Sequence, residues 1–118
     1  MPVRHLYRIA LLSTALIATQ AFAQRSPDSV TEPEIGQLQD SIQQGCVDRG
    51  AERKAPAGEV QEFCSCATEV LRIKVSKTEW QSAVAAAFNG DTKTASDILG
   101  KHRDDAIVCK PVQKAPNS

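Results

Sequence analysis

Apolar residues along this chain recur at helical intervals. Ile35, Leu38, Ile42 and Cys46 follow one another at spacings of three, four and four, which places them on one face of a helix. Thr31 to Glu34 offers that helix a capping box, and Gly50 offers it an end. After the breaker Ala55-Pro56-Ala57-Gly58, the residues Val60, Phe63, Cys64, Ala67, Val70, Leu71 and Lys74 repeat the pattern and predict a second helix. Ser76 to Glu79 is another capping box, followed by the stripe Trp80, Val84, Ala87 and Phe88 and closed by Asn89-Gly90. Asp91 can cap a short helix carrying Ala95, Ile98 and Leu99 and ending at Gly100, and a last turn or two runs from Arg103 to Cys109. No stretch shows sustained alternation of period two, and runs rich in Val, Ile and Thr are missing. The prediction is an all-α, small four-to-five-helix domain over residues 33–109.

The two ends read differently. Residues 1–23 combine Arg4, His5 and Arg8 with the ten-residue apolar run Ile9 to Ala18 and a cleavage signal Ala21-Phe22-Ala23, the layout of a signal peptide. The run is half of the roughly 20 residues a spanning helix needs, and no cysteine stands at the cleavage point to take a lipid, so no stable membrane anchor is expected. With no Arg-Arg pair for the twin-arginine route, the chain is expected to cross unfolded and fold in an oxidising space, periplasmic or extracellular. Residues 24–32 hold a single Val and no periodicity, and 110–118 hold Pro111 and Pro116; both read as disordered arms.

Charge and composition narrow the function classes. Of 14 Lys and Arg against 14 Asp and Glu, Arg4 and Arg8 fall in the leader and no acid does, which leaves the mature chain at −2. That argues against a nucleic-acid partner, because clustered positive charge supplies most of such affinity. Beyond the leader only 19 residues are Val, Ile, Leu, Phe or Trp. A core this thin in so short a chain calls for covalent staples.

Four cysteines can supply them: Cys46, Cys64, Cys66 and Cys109. Residues two apart on a helix point about 200° apart, so Cys64 and Cys66 face different neighbours and do not bridge each other. Two pairings remain. In an antiparallel hairpin turning near Lys54, Cys46 and Cys64 lie at similar distances from the turn, which favours Cys46–Cys64 with Cys66–Cys109 over Cys46–Cys66 with Cys64–Cys109. A redox Cys-x-Cys is disfavoured by its mid-helix place behind Glu59 and Glu62, which discourage a thiolate. A zinc site, with or without His102, is disfavoured because one Cys-x-Cys and two distant cysteines miss paired-ligand spacing. No metal or cofactor is expected.

The segment Phe63-Cys64-Ser65-Cys66-Ala67-Thr68-Glu69-Val70-Leu71, with Cys46 one helix upstream and Ser76-x-x-Glu79-Trp80 after it, resembles a loose group of small exported bacterial proteins of unknown function that share an aromatic-Cys-x-Cys-x4-Leu helix and a single upstream cysteine. The resemblance spans roughly residues 42–80 and implies no activity. Plant lipid-transfer proteins also carry Cys-x-Cys on a helix, but with eight cysteines including an adjacent pair; the likeness implies only that a lipid carrier belongs among the readings.

Catalytic parts are sparse. His102, the one histidine beyond the leader, stands between Lys101 and Arg103 and ahead of Asp104-Asp105, and reads as a solvated surface residue rather than a general base. Nucleophile-elbow, zincin, phosphate-loop and dinucleotide motifs are missing. Trp80, Val84, Ala87 and Phe88 complete the core, line a pocket for an apolar ligand or form an interaction surface, the core having first claim. The expected function is that of a non-enzymatic interaction protein: an inhibitor, an immunity-type partner or an envelope accessory factor. The alternatives are a carrier of a small apolar ligand or lipid and, third, a thiol–disulfide redox protein.

Overall fold

A computed structural model of the chain describes residues 24–112. The leader read at 1–23 and the end of the tail, 113–118, lie outside the described residues. Four α-helices follow one another: α1 (Glu32–Glu52), α2 (Ala57–Lys74), α3 (Lys77–Phe88) and α4 (Thr92–Gly100). A 3₁₀ turn, Pro27–Ser29, precedes them and a second, Arg103–Val108, closes the domain. Among the described residues there is no strand.

The helices begin and end where local chemistry dictates. The Glu34 carboxylate accepts the Thr31 backbone N–H at 2.8 Å, and Ser76 and Glu79 exchange the two bonds of a capping box at 3.1 and 3.2 Å. Asp91 accepts the Thr94 N–H at 3.1 Å at the start of α4. Gly90, at φ 78°, ends α3 in a Schellman turn: its N–H reaches the Ala87 carbonyl and that of Asp91 reaches Ala86.

At the end of α1 the structure corrects two expectations. Gly50 is not the stop; α1 continues to Glu52 and the left-handed position falls to Lys54, at φ 55°, with the Lys54 and Ala55 amides returning to Ala51 and Gly50. Ala57 and Gly58 likewise form the first turn of α2, with Pro56 as its cap, rather than extending the break. Gly50 serves packing instead. A Cβ built on it falls 2.4 Å from Cγ1 of Val60, so only glycine lets the helices approach this closely. Gly50→Ala is expected to destabilise by about 1–3 kcal/mol through overpacking against buried Val60. Urea unfolding checks this, and a neutral result would refute the close approach.

From that contact α1 and α2 run antiparallel as a hairpin. Cys46 bonds Cys64 (Cα–Cα 5.7 Å), and Gln43 then accepts the buried Thr68 hydroxyl at 2.7 Å and donates to Ser65 at 3.3 Å. Val75 is buried at the bend into α3, which packs against α1, α4 and the first 3₁₀ turn. The core gathers Val30, Ile35, Val75, Trp80, Val84 and Ala85, with Leu38, Ile42, Leu71 and Leu99 half-buried around it. The closing 3₁₀ turn runs back from the α2–α3 junction, where His102 meets Glu79, to the middle of α2, where Cys109 bonds Cys66 (Cα–Cα 5.8 Å).

Residues 24–32, expected to be a disordered arm, are instead folded onto the domain. Val30 stands just before the Thr31 cap and packs with Ile35 on the first turn of α1, a hydrophobic staple that draws the preceding turn into the core.

Candidate functional site

The four residues of the α3 stripe do not share one fate. Trp80 is 3% exposed and Val84 is buried beside it, both in the core. Burial on α3 sweeps from Ala83 through Trp80 and Val84 to Ala85, so the alanine-rich segment is covered on several sides by its neighbours. The last turn emerges from this cover. Ala87 is exposed, and Phe88, expected to belong to the core, is 65% exposed.

Phe88 is nevertheless held. The Arg25 guanidinium lies over its ring, 5.3 Å from the centroid. Arg25 also forms a two-point ion pair with Glu34, with Nη2 at 2.6 Å from Oε2, and donates to the Ser29 carbonyl at 3.0 Å. Its backbone pairs with the side chain next to Phe88: the Arg25 N–H donates to Asn89 Oδ1 at 2.7 Å, and Asn89 Nδ2 donates to the Arg25 carbonyl at 3.1 Å. Arg25 thus ties the start of the folded chain to the caps of two helices. Hydrogen bonds from Arg25 and from the Thr31 backbone lower the pKa of Glu34 to about 2. Sequence reading placed Glu34 and Asn89 only at helix ends and missed Arg25 and its contacts with them, and the available signal was the apolar Val30 ahead of a capping box.

A second cluster forms at the α2–α3 junction. His102 is not a solvated residue: its side chain is 17% exposed and lies between two carboxylates, Nε2 at 3.0 Å from Glu79 and Nδ1 at 3.2 Å from Asp105. The hydrogen bond to Glu79 is the main cause raising the His102 pKa and, from the other side, lowering that of Glu79. A general base needs one ring nitrogen directed at its substrate, and here carboxylates hold both. The cluster fastens the closing turn to the start of α3.

These pairs set a pH dependence. The raised His102 pKa means its contribution is full below the unfolded value near 6.5 and is lost as pH rises through the folded value. Glu34 works in the opposite sense: its contribution is full above 4.5 and is lost as pH falls towards about 2. Thermal stability is therefore expected to be highest in the weakly acidic range between those unfolded values. Melting curves across pH check this. His102→Gln should flatten the alkaline limb and also weaken the part of the acidic limb that Glu79 supplies, leaving the Glu34 part; an unchanged alkaline limb would remove His102 from the account.

All four cysteines are paired, so Cys64 and Cys66 belong to different bridges and no free thiol remains among the described residues. The zinc reading thereby loses its thiolate ligands. Disulfides persist in oxidising compartments, and no described helix is long and apolar enough to cross a membrane. No family model, curated protein or solved structure matches this chain.

Proposed function

We propose that the mature chain is a small exported, non-enzymatic interaction protein that presents Phe88 to a protein partner, as an inhibitor, an immunity-type partner or an envelope accessory factor does. One observation carries the reading. A large aromatic side chain lies open to solvent in a domain short of apolar residues, and it is fixed there by a guanidinium on its face and a two-bond clamp on the next residue. An aromatic ring beside arginine is the composition of binding hot spots, and holding both in place in advance lowers the entropy lost on binding. Export is supported by the leader pattern of residues 1–23 together with the two disulfides.

The carrier reading needs an apolar lining, and of the four side chains that could supply it Trp80 and Val84 are packed with Val30, Ile35 and Val75 while Ala87 and Phe88 lie exposed. The redox reading needs an accessible sulfur, and each bridge has one buried cysteine, Cys64 or Cys109, with its partner Cys46 or Cys66 half-buried.

Phe88→Ala tests the proposal. Its stability is expected to stay within about 1 kcal/mol of the parent, since an exposed ring leaves no cavity. Cross-linking in envelope extract should join the parent protein to a partner that the variant fails to capture. Equal capture by both would move the surface elsewhere, and a variant that unfolds would return Phe88 to a structural role.

A further inference from the structure

Asn89 is followed by Gly90, the side-chain-free neighbour that least obstructs attack of a backbone nitrogen on an asparagine amide, and both residues are exposed. Asn117, the only other asparagine, precedes Ser118. In the folded chain both reacting groups of the Asn89-Gly90 pair are engaged. The Asn89 carboxamide is held at each end by the backbone of Arg25, and the Gly90 N–H donates to the Ala87 carbonyl at 3.1 Å. The grip comes from a segment 64 residues away in sequence, itself fastened through Glu34, Ser29 and buried Val30.

We propose that Asn89 is a latent modification site, converted spontaneously to aspartyl and isoaspartyl forms through a succinimide with Gly90, and that docking of the Arg25 strap holds the reaction off. When the strap lifts, the Asn89 side chain is free to turn onto Gly90. Gly90 N loses its proton to solvent and attacks Cγ of Asn89; the N–Cγ bond forms, the Cγ–Nδ2 bond breaks and Nδ2, taking a proton back from solvent, leaves as ammonia. Water then opens the ring. Addition at Cγ breaks the new bond and yields aspartate in a normal chain, whereas addition at the Asn89 main-chain carbonyl breaks the original peptide bond and yields isoaspartate. The sum consumes one water, releases one ammonia and involves no electron transfer.

The products do not restore the clamp. The group facing the Arg25 carbonyl changes from an N–H donor to a carboxylate oxygen, and isoaspartate adds a methylene to the backbone of the Schellman turn. A chain once converted therefore holds its strap more weakly than before.

The test follows conversion at Asn89 over time in the exported, disulfide-bonded protein, by mass spectrometry and chromatographic separation of the peptide that carries it. A free peptide spanning residues 81–93 gives the unrestrained rate. The folded protein is expected to convert at least about tenfold more slowly, a local opening free energy of at least about 1.4 kcal/mol. Arg25→Pro, which removes the amide donor together with the guanidinium, should bring the rate towards that of the peptide. Arg25→Ala, which keeps the amide, should give an intermediate rate and serves if the proline variant does not fold. Gly50→Ala controls for loss of overall stability, because it perturbs the distant hairpin and leaves the strap intact. The proposal is overturned if the folded protein converts as fast as the peptide, if neither Arg25 variant accelerates conversion, or if Gly50→Ala accelerates it as much as the Arg25 variants do.

Discussion

Reduction of both disulfides is expected to abolish cooperative folding near room temperature. The bridges close chain segments of 18 and 43 residues, worth about 3 and 4 kcal/mol on the chain-entropy model. The segments 46–64 and 66–109 share no residue, so the two contributions add to about 7 kcal/mol, against a net stability of about 5–15 kcal/mol for a whole domain. Circular-dichroism melts with and without reductant check this. A reduced chain that still melts cooperatively within a few degrees of the oxidised one would show that the apolar core alone suffices. Replacing only Cys66 and Cys109 by serine should cost more than replacing Cys46 and Cys64, because it opens the longer loop and also frees the closing turn.

Trp80→Ala is expected to cost about 3–5 kcal/mol, the effect of removing a buried aromatic side chain without collapse of the space around it. Trp80 touches the shared core of α1, α3, the α2–α3 bend and the first 3₁₀ turn, so the loss reaches every element that meets there. Its indole Nε1 finds no hydrogen-bond partner among the described residues, and a buried unpaired donor costs about 1–3 kcal/mol. Trp80→Phe removes that orphan donor while keeping most of the ring volume and should be much milder than the alanine variant. Urea unfolding of both isolates the ring volume, since neither variant keeps the N–H. Equal losses would show that a phenyl ring fills none of the space the indole leaves, and two near-neutral results would place Trp80 outside the core.

Much of this architecture is legible in the sequence because it is local. The capping boxes at Thr31 and Ser76, the cap at Asp91 and the stop at Asn89-Gly90 act within a few residues of chain, and each stands in the structure where its motif placed it. Gly50 was legible as a glycine but not in its role, since a helix stop and a helix contact leave the same letter and only the facing Val60 distinguishes them. Phe88 continues the helical stripe of Trp80 and Val84, yet periodicity fixes only a direction around the axis; it does not say where along the axis the neighbouring helices end. The Arg25 clamp and the His102 cluster were hidden for a further reason. Their partners lie 64 and 23 residues away, and polar pairs at such separations leave no periodic trace. In composition the strap looks like a solvated tail, and one staple residue, Val30, reverses that reading.

The order of the bridges along the chain bears on how the protein matures. First cysteine joins second and third joins fourth, so the connectivity follows the order of synthesis. On the export proposed above, a chain threading N-terminus first into an oxidising compartment presents Cys46 and Cys64 as a completed pair before Cys109 has entered. An oxidase acting on cysteines as they emerge therefore makes the native set without later reshuffling, a process that takes seconds to hours when it is required. Cys66, the one competitor that enters beside Cys64, is turned to another side as soon as α2 forms, and it waits there for the last cysteine to arrive.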